Sequence, residues 1–299
     1  MKNGIEYNKK QSVLWLWVLP VVVILLLFYI VPIVKVALYS FSSASFFGDK
    51  IKFTFRTYSY LLSSNTFWTM LKTTIIFVAI SVIAQIGLGF LIAFSVVEGE
   101  NRNLIGPVVV RTAVLSAWVI PGVIIGIIWK LLLSNASYGI LNHYISLLGF
   151  ERVNFLSSPT IALVSVIIAN IWRGTAFSMI ILYGGLKQVP AELYEAAEID
   201  GASGLQRVIR ITIPQLKQVI FINIALITIY TFNTFDMIMA LTGGGPGRAT
   251  EVLSIYTYNS VFNRWALAPG AGTAMVLLLI NLIIVIFYYR IMKVSKNNE

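Results

Sequence analysis

Six long apolar runs alternate with short polar segments along the chain. Each run approaches or exceeds the roughly 20 residues that an α-helix needs to cross about 30 Å of hydrocarbon. Helices are expected because lipid offers no water to an unpaired backbone. The pattern therefore predicts an all-α polytopic membrane protein with six transmembrane helices. The predicted spans are Val13–Tyr39, Phe67–Val97, Val108–Leu133, Ile161–Leu182, Val219–Leu241 and Ala271–Tyr289.

The spans delimit one membrane domain, residues 13–293, between an N-terminal tail of residues 1–12 and a C-terminal tail of residues 294–299. An even number of spans places both ends on one side. Lys and Arg are somewhat more frequent on that side, which the positive-inside rule assigns to the cytoplasm. We therefore expect both termini to be cytoplasmic. The first run is too long for the apolar part of a signal peptide, so it is interpreted as a retained anchor.

One segment outside the spans, Tyr138–Phe150, also carries a helical pattern. Its apolar residues Leu141, Tyr144, Ile145 and Leu148 recur with the spacing of an amphipathic helix. We expect this helix to lie in the plane of the membrane interface. Packing on the bundle and docking of a partner are the two roles that the pattern leaves open.

Composition agrees with a membrane protein and excludes several other classes. Of 299 residues, 58% are hydrophobic and 11% charged, and the mean hydropathy is +0.84, far outside the range of soluble domains. The net charge of +10 is scattered between apolar runs, so nucleic acid is not an expected partner. With no cysteine and a single histidine, His143, the chain lacks the residues of a thiolate or histidine metal cluster.

The longest cytoplasmic connection, residues 185–217, is much more polar than the spans beside it. Pro190 suits the first position of a helix, and Gly201 suits a left-handed residue that ends one. Ser203 can cap a second helical segment, which Pro214 would stop. These start and stop residues predict two short helices joined at a glycine. The pattern leaves two roles open for this element, a stiff lever or an ordinary surface hairpin.

The residues of this connection carry a family resemblance. The sequence from Glu195 to Ala202, EAAEIDGA, followed by ITIP at Ile211–Pro214, resembles the EAA loop of permease subunits from ATP-binding-cassette (ABC) importers. The resemblance implies a coupling helix that seats in a groove of the ATPase. The residues that would take this role are Glu195, Ala196, Ala197, Asp200, Gly201 and Ala202.

A second stretch, residues 233–247 with the downstream Tyr256–Tyr258, is similar to the carbohydrate subgroup of these permeases, which includes the first, MalF-like subunit of maltose and glycerol-phosphate importers. The resemblance implies three kinds of partner in a bacterial inner membrane: a second homologous permease, two ATPase subunits or one ATPase homodimer, and an extracytoplasmic solute-binding protein. Gly243–Thr250 lacks the Lys of a phosphate-binding loop and follows a membrane helix. We therefore expect no cofactor on this chain, and ATP and Mg on the ATPase.

Ionisable and amide side chains inside spans indicate a solute path, because they are costly in lipid and usually face a cavity. Arg173 and Asp236 would lie roughly 18 Å and 9 Å below the outer boundary if their helices were straight. We therefore expect two groups that face a wet cavity rather than a buried ion pair.

The resemblance adds further candidates for this path. Asn170, Arg173, Gly174 and Phe177 in the fourth span, and Phe232 and Asn233 in the fifth, match stretches that contact sugar in maltose-type permeases. Amides and Arg can bond hydroxyl groups, and aromatic faces can stack on a sugar ring. Asp236 is expected nearer the outer mouth. Helix packing is the alternative role for Phe177 and Phe232.

The sequence thus predicts a permease subunit that performs no covalent chemistry and transports by alternating access. Its solute would be a sugar or sugar-like compound of the oligosaccharide, polyol or glycerol-phosphate class. A secondary transporter and a non-transporting membrane scaffold are the alternatives, and neither would need the ATPase-coupling loop.

Overall fold

A computed structural model of the chain describes residues 17–45 and 52–297. The predicted N-terminal tail, residues 13–16 of the first predicted span and the last two residues of the C-terminal tail lie outside the described residues. Contacts divide the described chain into two compact units. One unit holds the residues up to Ser64 together with Thr257–Val276, and the other holds Asn65–Tyr256 together with the chain from Leu277 onward.

The first unit begins with α1, Trp17–Ser40, a 24-residue apolar helix. None of its apolar window is buried within the chain, as expected for a helix that lipid surrounds. It is followed by α2, Arg56–Ser63. Tyr58 of α2 donates a hydrogen bond of 2.9 Å to the Ser40 hydroxyl, which ties the end of α1 to α2.

The remaining helices follow in chain order. They are α3 (Asn65–Asn101), α4 (Pro107–Val119), α5 (Gly122–Leu132), α6 (Ile140–Leu147), α7 (Pro159–Leu186), α8 (Ala191–Ile199), α9 (Gly204–Gln215), α10 (Lys217–Phe232), α11 (Asp236–Leu241), α12 (Leu253–Tyr258) and α13 (Leu267–Asn297). The residues that the structure describes form no strand beyond one isolated bridge, between Ser42 and Phe53. The prediction of an all-α chain is confirmed.

Four of the described helices, α1, α3, α7 and α13, are long and apolar enough to cross a membrane on their own. Two further candidates are bent pairs: α4 with α5, at 103°, and α9 with α10, at 71°. The count of six spans therefore holds if each bent pair is one span. Within the predicted bounds, the third span is bent at Pro121, and the fifth span is a continuous helix only as far as Phe232.

The third predicted span, Val108–Leu133, is broken at Ile120 and Pro121. Both residues have extended backbone, with ψ of 129° and 139°. Proline has no N–H to continue a helix and disfavours helical backbone at the residue before it. At 1.5 Å per residue, α5 is only about 16 Å long, which is too short to cross a membrane by itself.

The fifth predicted span, Val219–Leu241, is broken between Phe232 and Asp236. The side chains of Asn233 and Thr234 bond the carbonyl groups of Ile229 and Tyr230, at 2.7 and 3.1 Å. Such local bonds compete with the helical ladder. The helix therefore ends at Phe232, and α11 starts separately at Asp236.

The core of the second unit is formed mainly by α3, α7 and α10. Small residues let α3 and α7 approach closely. A Cβ added to Gly89 of α3 would lie 2.6 Å from the Ser178 Cβ of α7, and one added to Gly174 of α7 would overlap the Gln85 side chain of α3. Close backbone approach through small residues is typical of helix packing in membranes.

The predicted amphipathic segment Tyr138–Phe150 does form a helix, α6, which is shorter than the pattern. Asn142 is buried and holds α6 to the neighbouring loops. Its amide donates to the Ser134 and Val153 carbonyls at 3.1 and 3.0 Å, and its carbonyl accepts from the Val153 N–H at 2.8 Å. The apolar residues Tyr144 and Leu148 are exposed.

Candidate functional site

The polar connection 185–217 folds into a helical hairpin, made of α8 and α9. Gly201 joins the two helices with φ of +75°, and the Ala202 N–H bonds the Ala197 carbonyl at 2.8 Å, as in a Schellman motif. Ser203 then starts α9 through a capping box with Gln206. The predicted glycine terminator and serine cap are confirmed. The second segment ends at Gln215, one residue beyond the predicted stop.

Two side-chain bridges stiffen the hairpin. Arg207 of α9 lies 3.0 Å from the Glu198 carboxylate of α8. The hydroxyl groups of Tyr194 and Thr212 lie 2.9 Å apart, and Thr212 is fully buried. Because each bridge joins one helix to the other, the hairpin can move as one piece.

The hairpin presents most of its motif residues to solvent. Glu195, Ala196, Asp200 and Gly201 are exposed, whereas Ala197 and Ala202 are half-buried. Two apolar side chains beside the motif, Ile199 and Leu205, are 87% and 71% exposed. Sequence reasoning missed them, although an apolar residue inside a polar turn is a signal for docking.

A cavity of about 300 Å³ lies among the bundle helices of the second unit. Five of the residues predicted for a solute path line it: Asn170, Arg173, Gly174, Asn233 and Asp236. The two predicted phenylalanines lie elsewhere. Phe232 is only 8% exposed and belongs to the apolar core, and Phe177 packs against the rings of Trp118 and Tyr230 beside the cavity.

Arg173 and Asp236 form an ion pair, with 3.3 Å between Arg173 Nη1 and Asp236 Oδ1. The expectation that they stay apart is wrong, although the expectation that both face a cavity is confirmed. Straight helices would separate the two residues, but the helix is interrupted at 233–235, before Asp236. The Arg173 guanidinium also lies 5.8 Å from the centre of the Trp118 ring.

Two glycines of α5 make room for this pair. A Cβ at Gly122 would overlap the Asp236 carboxylate, and one at Gly126 would lie 2.6 Å from the Met237 carbonyl oxygen. Glycines four residues apart lie on the same face of a helix. The bend at Pro121 and these glycines together allow the backbone of α5 to pack closely against α11.

Sequence reasoning missed several residues of the cavity wall. Gln85 of α3 lines it and donates to the Asn170 carbonyl at 2.8 Å. Trp118 and Tyr230 contribute aromatic faces, with ring centres 5.3 Å apart. Asn170 was selected by its match to the family's sugar-contacting stretches. The criterion of a polar side chain inside an apolar run, applied to α3, would have found Gln85.

Two residues of the wall carry a buried donor that lacks a hydrogen-bond partner among the described residues. These donors are the side-chain amide nitrogen of Asn170 and Arg173 Nε. Buried polar atoms are normally paired, so these two donors are unusual. Both atoms are inaccessible to solvent, so neither contacts the cavity directly.

Comparison with known proteins identifies the family of the chain. The family described as binding-protein-dependent transport system inner membrane component matches residues 85–293. The trehalose/maltose transport system permease MalF of Thermococcus litoralis is 34% identical over 280 residues, which cover 93% of this chain and 92% of that protein. The sn-glycerol-3-phosphate transport system permease UgpA of Rhizobium meliloti is 29% identical over 278 residues, covering 92% and 93%.

A solved structure shows the same fold. A chain of a bacterial ABC transporter involved in the import of the acidic polysaccharide alginate superposes with a TM-score of 0.85 at 22% identity, covering 97% of this chain and 98% of that chain. The family match extends over most of the sequence, and a relative more than 30% identical spans nearly all of it. The chain therefore belongs to the family of inner membrane components of binding-protein-dependent transport systems.

Proposed function

We propose that this chain is the permease subunit of an ATP-driven importer that carries a sugar by alternating access. The observation that carries the proposal is the cavity, whose wall combines amide, guanidinium, hydroxyl and aromatic side chains. Hydroxyl groups bond amides and guanidinium groups, and sugar rings stack on aromatic faces. The resemblance to a trehalose/maltose permease over most of the chain supports the same solute class.

The charges in the cavity favour a neutral sugar over a sugar or polyol phosphate. Arg173 and Asp236 are the charged residues of the described cavity wall, and they pair with each other. The wall thus has no formal net charge. A phosphate group would need an unpaired cation to offset the cost of its desolvation.

The hairpin α8–α9 supports the proposed partners. Its exposed acidic and apolar residues are suited to contact an ATPase. The two side-chain contacts between α8 and α9 suit a hairpin that moves as a lever. We propose that ATP and Mg bind that ATPase pair, that a second homologous permease completes the pore, and that a solute-binding protein delivers the sugar. Both termini and the hairpin then lie on the cytoplasmic side.

The cavity is tested by uptake in the reconstituted complex, with radiolabelled trehalose, maltose and glycerol 3-phosphate as probes. Asn170→Ala and Asp236→Asn should each reduce uptake per assembled complex by an amount equivalent to roughly 1–3 kcal/mol, while thermal stability in detergent changes less. Asn154→Ala, which removes an exposed amide bonded to Asn135, is the control. Wild-type uptake in both cavity variants would refute the site, and a preference for glycerol 3-phosphate would refute the neutral solute.

The coupling role is tested separately. Glu195→Lys should remove stimulated ATP hydrolysis while the protein remains in the membrane. Uptake that persists in proteoliposomes without any ATPase would instead support a secondary transporter.

A further inference from the structure

A second polar cluster lies outside the cavity, at the end of the bundle where the hairpin is attached. It consists of Glu100 of α3, Arg111 of α4, and Tyr183 and Lys187 at the end of α7, and is called the Glu100 cluster. The Glu100 carboxylate lies 3.1 Å from Arg111 Nη1 and 3.3 Å from Lys187 Nζ. It also accepts a hydrogen bond of 2.9 Å from the Tyr183 hydroxyl.

The remaining contacts close the cluster on itself. Arg111 Nη1 donates to the Tyr183 hydroxyl at 2.5 Å, and the guanidinium lies 4.9 Å from the centre of the Tyr183 ring. The Glu100 side chain is only 19% exposed. A carboxylate that accepts from three donors in partial burial makes strong, charge-assisted bonds.

The position of the cluster in the chain is what gives it a role beyond stability. Lys187 directly follows the last residue of α7, and α8 begins at Ala191. Glu100 and Arg111 lie near the turn that joins α3 to α4. The end of α7 that leads into the hairpin is therefore linked to two other helices, α3 and α4.

We propose that the Glu100 cluster is a positioning device that makes the base of the α8–α9 hairpin and the α3–α4 turn move together. The inference rests on the proposed coupling role of the hairpin, and it adds how movement would pass from the hairpin into the helices that line the cavity, because Gln85 lies on α3 and Trp118 on α4.

The chain contains a matched control for this idea. Glu98 pairs with Arg102 at 2.6 Å on the same end of α3, but both partners belong to one stretch of chain and are more exposed than Glu100. A pair within one helix end cannot link α3 to α4 or α7. Loss of this pair should leave the proposed movement intact.

The experiment uses the absence of cysteine in the natural sequence. Cysteines at the exposed positions Ile105, in the α3–α4 turn, and Ile209, on α9, receive spin labels in the full complex, whose other chains have their cysteines replaced. Pulsed electron paramagnetic resonance then gives the distance between the labels without nucleotide and with an ATP analogue. If the hairpin and the α3–α4 turn move together, the distance between the two labels has the same narrow distribution with and without the ATP analogue.

In Glu100→Gln and Arg111→Gln we expect the ATP analogue to shift the distance between the labels or to broaden its distribution. The amount of ATP hydrolysed per transported solute should rise above the wild-type value. Tyr183→Phe, which keeps the ring and removes the hydroxyl, should give a smaller change of the same kind. Glu98→Gln should match the wild type.

A purely structural role would lower the amount of complex in these variants and leave the distance unchanged, which would overturn the proposal. An equal shift in Glu98→Gln would overturn it too. Failure of the proposed coupling role would give a different result, because stimulated ATP hydrolysis would then stay normal in Glu195→Lys. That measurement does not involve the variants of the Glu100 cluster.

Discussion

Replacement of Gly122 by alanine tests whether the Arg173–Asp236 pair depends on the close approach of α5 and α11. The added Cβ would overlap the Asp236 carboxylate, so the carboxylate or α11 must shift. Overpacking of this kind costs roughly 1–3 kcal/mol of unfolding free energy. The better helix propensity of alanine returns at most about 1 kcal/mol, and less at the first position of a helix.

The ion pair itself adds a second contribution. The Arg173 and Asp236 side chains are 23% and 40% exposed, which places the pair between a surface pair, worth about 0–1 kcal/mol, and a buried one, whose disruption costs about 3–5 kcal/mol. Because solvent reaches Asp236, we expect about 1 kcal/mol from this source. Gly122→Ala should therefore lower stability by about 1–3 kcal/mol in total and reduce uptake.

The measurement is thermal unfolding in one detergent together with uptake per assembled complex. Gly87→Ala is the control, because no atom lies within 4 Å of a Cβ at Gly87 and a helical glycine gains about 0.5–1 kcal/mol on replacement by alanine. Adding Asp236→Ala to Gly122→Ala should recover part of the lost stability, since the two changes share one contact. Equal stability and uptake in Gly122→Ala and Gly87→Ala would refute the reasoning.

Three further predictions concern the hairpin and the outer loop. Cysteines at Ser157 and Ser203, both exposed, should react differently with an impermeant thiol reagent on intact cells: Ser157→Cys labels, and labelling of Ser203→Cys would overturn the proposed orientation. Gly201→Ala should lose roughly 1–2 kcal/mol of stability because its φ is +75°, whereas Gly204→Ala, in open space, should lose none in the same thermal assay. Asn142→Ala should lower the melting temperature by an amount equivalent to about 1–3 kcal/mol, because it leaves partly buried backbone groups of Val153 unpaired. It should not change solute selectivity, because Asn142 does not line the cavity. An unchanged melting temperature would contradict this anchoring role.

Features that depend on a few neighbouring residues were predictable from the sequence. The helical class and the approximate spans follow from the lengths of the apolar runs, since lipid admits few other structures. The turn at Gly201 and the cap at Ser203 follow from local backbone chemistry, and both are present in the structure. The local sequence also contains the cause of the bend at Pro121, although not its angle of 103°.

The candidate site was only partly predictable, because its geometry depends on contacts between distant parts of the chain. Hydropathy identified Arg173 and Asp236 as unusual, but their pairing requires the break after Phe232 and the glycine face of α5. Phe232 matched a sugar-contacting position and is instead buried in the core. A pattern read along one helix does not reveal which face a neighbour covers.

The sequence by itself determined that the chain is a bundle of membrane helices with a capped, glycine-jointed hairpin, because hydropathy and backbone preference act over a few residues. Only the tertiary structure decided which polar groups meet. Glu100 contacts Tyr183 across 83 residues of chain, and Gln85 reaches Asn170 across 85. Such contacts are set by the crossing, bending and rotation of whole helices, which depend on the packing of every surface at once.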